Sequence, residues 1–193
     1  MGLIRNILAV LGLVVLLGGG YGYAKMSPIL AQMDPGWREM YTDFAGRLLT
    51  TLDPGEAMTW SVPVENPDLS PEDVKESLKS LASANNFLFV GEAKFYKQVE
   101  AITGQPYRHI EFLSFCDASV GKMMAEYRDA YTAFMPCRIA LVRDKNGKLW
   151  LHSMNLDMMI HGGRQLPPEL RKEALRIRDV IKKLMAGAAK GEF

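Results

Sequence analysis

One uncharged apolar run near the start limits what this chain can become more than any other feature. After "MGLIRN", whose Arg5 is the only charge, "ILAVLGLVVLLGGGYGYA" continues from Ile7 to Ala24, and the next charge is Lys25. These 18 residues are close to the shortest helix that spans a bilayer core of about 30 Å. A helix apolar on every side would otherwise need burial on every side, which a small domain cannot readily supply. Two readings stand, a signal peptide or a retained membrane anchor. "GYA" offers the small residues that a signal peptidase reads, but the apolar stretch is long and no polar segment separates it from that site, which favours the anchor. Arg5 ahead of the run keeps the amino terminus in the cytoplasm. The expectation is therefore a single-pass inner-membrane protein, in contact with lipid through residues 7–24, with its C-terminal domain in the periplasm.

The whole chain has 193 residues, 48% hydrophobic and 23% charged, enough for one globular domain with a real core plus an appendage. Residues 1–24 carry one cation, Arg5, and no acid, so the remainder is neutral. That excludes nucleic acid as a partner, because such binding needs a basic excess to displace counterions.

Three segments are expected: 1–25 as anchor or signal, 26–57 as linker and amphipathic helix, and 58–193 as an α+β domain. Asp34 and Pro35 stand where an N-cap and first helical residue belong. The helix they start carries Trp37, Tyr41, Phe44, Leu48 and Leu52 on one stripe, and "DPGEA" at 53–57 stops it. "MTWSVPV" reads as a strand that Pro63 confines to an edge. Ser70, Pro71 and Asp73 open a helix with Val74, Leu78 and Leu81 on one face. "FLFVGEA" is a second strand, followed by a short helix that Gly104 ends. "YRHIEFLSFC" alternates as a third strand, and Asp117 caps the helix after it. "CRIALV" and "KLWLHSM" flank Asn146-Gly147 as a hairpin. A last helix buries Leu170, Ala174, Ile177, Ile181 and Leu184, and its charged residues are read as a solvated face. The order β, α, β, α, β, α, β, β, α predicts a small antiparallel or mixed sheet with helices packed on one face.

The stretch "GQPYRHIEFLSFCDASVGKMMAEYRDAYTAFMPCRIALVRDKNGKLWLHSMNLDMM" resembles the signature portion of the domain-of-unknown-function 302 family. In that family a "PYR" strand runs to a cysteine, a helix follows, and a "PC" dipeptide opens a hairpin. Tyr107, Arg108, Cys116, Pro136 and Cys137 match this pattern, and the resemblance covers about residues 58–163. It implies a small α+β domain that commonly dimerises, and it carries no settled activity. The membrane segment, the helix at 35–52 and the His/Met stretch depart from the pattern.

Two constellations bear chemistry. Cys116 and Cys137 are the only cysteines. An exported location permits a disulfide, yet a whole helix separates the strand ends they occupy, so structural thiols and a reactive or ligating role stay open beside it. There is no C-x-x-C, hence neither a thioredoxin-like site nor covalent haem attachment. The second constellation is "HSMNLDMMIHGG" at 152–163. Alternation on its strand puts Trp150, His152 and Met154 on one face, with Leu149, Leu151 and Ser153 on the other. Met158, Met159 and His161 follow, and the two glycines after His161 leave it free to reach a cofactor or a second copy. Imidazole and thioether are ligands that copper accepts and that haem iron accepts axially. Methionine-padded core and a hydrogen-bonded structural histidine are the plain alternative. His109 is a third imidazole candidate. Glu111 is read as pointing to the opposite strand face from His109 and as surface charge. No nucleophile elbow, phosphate loop, zinc-protease helix or dinucleotide turn is present.

Two functions follow. In one, a tethered module holds haem b or copper through His161, His152 and nearby methionines, in a redox or metal-handling role, with a homodimer as one arrangement. In the other, a cofactor-free accessory subunit docks onto a membrane complex through the anchor and the Trp37/Tyr41/Phe44/Leu48 stripe.

Overall fold

The structure, a computed structural model, describes residues 2–193. Helix α1 (Gly2–Leu30) has no buried residue. It is long and apolar enough to cross a membrane, the one such helix among the described residues. At 1.5 Å per residue its 29 residues extend about 43 Å, which exceeds a hydrocarbon core by about two turns.

Helix α2 (Trp37–Thr51) follows. Its N-cap is Gly36, which offers no side-chain bond, so Asp34 and Pro35 are not the cap and first helical residue. Asp34 is wholly buried and used elsewhere, as described below. "DPGEA" does stop α2, and it also folds on itself. Asp53 Oδ1 accepts from the amides of Gly55 and Glu56, 2.7 and 3.2 Å away, to cap the single turn α3 (Pro54–Ala57).

The remaining elements come in the expected order: β1 (Thr59–Pro63), α4 (Pro71–Ala84), β2 (Leu88–Ala93), α5 (Phe95–Thr103), β3 (Ile110–Cys116), α6 (Ala118–Tyr127), a 3-10 helix (Asp129–Phe134), β4 (Cys137–Arg143), β5 (Leu149–Met154), α7 (Asp157–His161) and α8 (Pro168–Ala188). Ser70 and Asp73 form a complete capping box at α4, and Asp117 caps α6 through the amides of Ser119 and Val120. Gly104 ends α5 at φ 67°, and Gly147 takes φ 85° in the hairpin turn, both left-handed positions that suit glycine.

The five strands form one fully antiparallel sheet in the order β1-β5-β4-β3-β2, so β1 and β2 are its edges and Pro63 lies on an edge strand as anticipated. Helices α4 and α8 pack together on one face, where Leu113, Phe115, Ile139, Leu141 and Leu151 meet Val74, Leu78, Ile177, Ile181 and Leu184 in a single core. Burying each such side chain is worth about 1.5–3 kcal/mol, which is what fixes the strand register. Trp150, His152 and Met154 fall on the opposite face. There Phe112 of β3 also lies, 5.9 Å from Phe95 of α5.

The charged side of α8 is more than a solvated face. Arg171 reaches Asp34, Arg176 reaches Asp117 at 2.5 Å and Arg178 reaches Asp157 at 3.3 Å. Each ties a separate loop or helix start to the last helix.

Candidate functional site

Helix α1 joins the domain through a cluster of hydrogen bonds around residues 32–36. Met33 and Arg164 form an antiparallel bridge, the Asp34 amide donates to Gly163 O at 2.9 Å, and Arg164 donates to Gln32 Oε1 at 2.7 Å. At its centre Asp34 is held by Arg171 Nε and His161 Nδ1, each 2.6 Å away, and by the Gly36 amide at 2.9 Å. Burial pushes the Asp34 carboxyl up, but the Arg171, His161 and Gly36 hydrogen bonds outweigh it and hold it down at about 2. Gly36 is required here, since a Cβ would lie 2.8 Å from His161 Nδ1. His161 is therefore a pinned, mostly buried group with one ring nitrogen committed, leaving only Nε2 able to ligate.

His152 sits across the strand pair from Ser61, with Nδ1 and Oγ 2.8 Å apart, and its ring stacks on Trp150 at 6.1 Å. Burial lowers its basicity, against a smaller pull from Glu56. His109 stacks on Tyr96 at 4.8 Å and places Nε2 3.2 Å from Glu111 Oε2. Burial lowers its basicity too, opposed by Glu111. The three imidazoles thus stand in three separate surroundings. Among the described residues no three His, Cys, Asp or Glu side chains converge as a metal site.

The methionines do converge. Where β5 runs out, a cavity of about 460 Å³ opens between α2, the α6/3-10 segment and α7. Met154, Met158 and Met159 line it together with Met40 and Phe44 of α2, and Tyr127, Tyr131 and Phe134 form the facing wall. Arg128 and Arg164 stand in the same wall, and the lining contains no carboxylate. Its volume is within the range of about 300–1,000 Å³ typical of small-molecule sites. The α2 stripe is thus divided. Met40 is buried and Phe44 faces the cavity, Tyr41 donates to Gly162 O at 2.8 Å, and Leu49 and Leu52 are 76% and 81% exposed. Strand alternation and the local His/Met cluster pointed to Met154, Met158 and Met159; the aromatic wall lies 20 to 32 residues earlier in the chain, and no local pattern connects them.

Cys116 and Cys137 are both free thiols, and they line a second, smaller cavity of about 50 Å³ beside the first. Burial, then the neighbouring Cys116, pushes the Cys137 thiol up to about 11. Burial, then Asp117, pushes Cys116 up as well.

Glu111 is not surface charge. It is 1% exposed and lies 3.6 Å from the equally buried Lys75 of α4. Positions 109 and 111 are two apart, so a strand's period of two brings both side chains to one face; that spacing was the available signal. Burial works against the Lys75 ammonium, but Glu72, Glu111 and Glu92 around it keep its pKa raised.

Comparison with known proteins places this geometry. A family model described as "Domain of unknown function DUF302" matches residues 60–188, from β1 to the end of α8. A solved structure described as an uncharacterized conserved protein DUF302 from Bacillus stearothermophilus has the same fold, with a TM-score of 0.54 and 14% identity over 67% of this chain and 96% of that one. No curated protein matches the chain. Helices α1, α2 and α3 precede the matched region, so Met40 and Phe44 bring to the cavity a wall from outside the family domain.

Proposed function

The chain belongs to the DUF302 family, and from that premise we propose that it is a membrane-tethered, non-catalytic module that holds haem b in the methionine-lined cavity, in a redox or metal-handling role. The observation that carries this reading is the convergence of Met154, Met158 and Met159 on one apolar cavity that also contains Tyr127, Tyr131, Arg128 and Arg164. A space of about 460 Å³ is far larger than a single ion needs and is of the size that holds an organic cofactor. Thioether is an axial ligand that haem iron accepts, and guanidinium groups pair with propionate carboxylates. Met158 or Met159 would hold the iron through its thioether sulfur. No histidine lines the cavity, since His152 is held by Ser61 and His161 by Asp34, so a thioether such as that of Met154 would also be the second donor. Bound haem would supply one-electron chemistry; the chain's own part is to bind, orient and shield it.

In this reading α1 stays in the inner membrane, and Arg5 on its cytoplasmic side leaves the domain in the periplasm. The stapled Asp34 region keeps the cavity next to the membrane surface. The exposed β2 edge, with Leu88 61% and Val90 53% exposed, is where a second copy would pair.

The test is an absorbance spectrum and iron analysis of full-length protein purified from its native membrane. A Soret band with about one iron per chain supports the reading; no Soret band and no stoichiometric iron reject it. A second reading, a cofactor-free accessory subunit, is favoured by Leu49 at the end of α2 and Leu52 just after it, both exposed. Isolation only as a lone monomer, free of other membrane proteins, would count against it.

A further inference from the structure

A second site is built from sulfur, on the far side of the wall that Tyr131, Phe134 and Met159 share between the two cavities. Cys116 ends β3 and Cys137 begins β4. The register pairs Cys137 with Phe115, so the two cysteines are neighbours across adjacent strands, and both line the same small chamber. Met135 lines it too. A Cβ at Gly121 of α6 would lie 3.3 Å from Met135 Sδ and 3.7 Å from Cys116 Sγ, so these two sulfurs border one spot.

The chamber's volume of about 50 Å³ is several times the 10–15 Å³ or so that one water needs, yet too small for an organic ligand. No imidazole lines it. Its one carboxylate, Asp117, is already taken by the Ser119 and Val120 amides and by Arg176. Zinc, which takes four ligands in a tetrahedron of nitrogen, thiolate or carboxylate, has no complete set here. Thiolate and thioether in a dry pocket select a soft monovalent ion.

We propose that Cys116, Cys137 and Met135, which line the same chamber, form a binding site for one cuprous ion. On binding, the two S–H bonds break and two Cu–S bonds form. Both protons leave to solvent, Met135 adds a neutral sulfur donor, and copper stays in the +1 state, so no electron changes hands. The site is separate from the haem cavity, and it can stand or fall without it.

The test uses the full chain in detergent under reducing, anaerobic conditions, titrated with Cu(I) against a chromogenic Cu(I) chelator. Maleimide labelling of the thiols is followed in parallel. The expected result is one Cu(I) per chain and loss of labelling at both cysteines once the ion is bound. Affinity should fall at least 100-fold in Cys116→Ser and Cys137→Ser, and about 10-fold in Met135→Leu. Thiol protection in the unaltered protein keeps the test valid if a variant fails to fold. Equal labelling with and without Cu(I), unchanged affinity in folded variants, or a Cys116–Cys137 disulfide in the freshly isolated protein would each overturn the proposal. None of these readouts depends on a Soret band.

Discussion

Asp34 Oδ1 lies 2.6 Å from His161 Nδ1, a contact that closes a span of 127 residues and ties the segment after α1 to the family domain. Arg171 completes the group from α8, at 2.6 Å from the other carboxylate oxygen. Removing the carboxylate leaves a guanidinium that is 27% exposed without its partner. Asp34→Ala should therefore cost about 3 kcal/mol, toward the low end for breaking a buried pair, and urea unfolding of the detergent-solubilised protein measures it. Protease sensitivity around residues 31–36 should rise in the same variant.

The same group predicts the acid limit of stability. The Asp34 and Asp117 carboxyls are both held down at about 2, burial being outweighed at Asp117 by Ser119, Arg176 and two amides. A depressed carboxylate stabilises the fold above its unfolded pKa of about 3.9, and that contribution disappears as pH falls through the folded value. Stability should thus be level above about pH 5 and drop between about pH 4 and pH 2, by about 2 kcal/mol for Asp34 alone. Asp34→Asn should show a shallower drop over that interval in acid titrations followed by circular dichroism.

Lys75 and Glu111 are a buried pair 3.6 Å apart under the sheet. Glu111→Leu leaves the Lys75 ammonium paired with Glu72 at 2.8 Å and should destabilise by about 1–3 kcal/mol. The double variant Lys75→Met/Glu111→Leu removes both charges and should regain most of that loss, a coupling that a double-mutant cycle reads directly. Equal losses in single and double variants would show that the pair is not coupled.

The β2 edge presents Leu88 and Val90 to solvent. If two copies pair at this edge, as proposed, Val90→Lys should leave the protein monomeric at concentrations where the unaltered protein is dimeric. Light scattering of the detergent-solubilised protein distinguishes the two states.

Much of this fold was legible because its signals are local. The Ser70/Asp73 capping box, the Asp117 cap, the Asn146-Gly147 hairpin, the alternation from Leu149 to Met154 and the apolar stripe of α8 all lie within one element each, and all are realised. What was not legible depends on residues far apart in sequence. Asp34 has the composition of an N-cap, and only the arrival of Arg171 and His161 makes burial more favourable for it. The His/Met stretch was legible as a cluster, but its division was not. The methionines turn into the cavity, while His152 and His161 are drawn off to Ser61 and Asp34. Met135 and Gly121 gave no signal at all, since their bearing on Cys116 follows from how α6 lies against the strand ends.

The central claim is that the thioethers beside α7 ligate haem in a cavity that α2 helps to close. Its most direct measurement is a haem titration of the full-length protein and of Met158→Leu/Met159→Leu, followed by Soret absorbance and by the near-infrared sulfur-to-iron band. The account predicts one haem per chain, with affinity lowered at least 10-fold and the sulfur-to-iron band lost in the double variant. Identical spectra and affinities for both proteins, or no saturable haem binding by either, would contradict it.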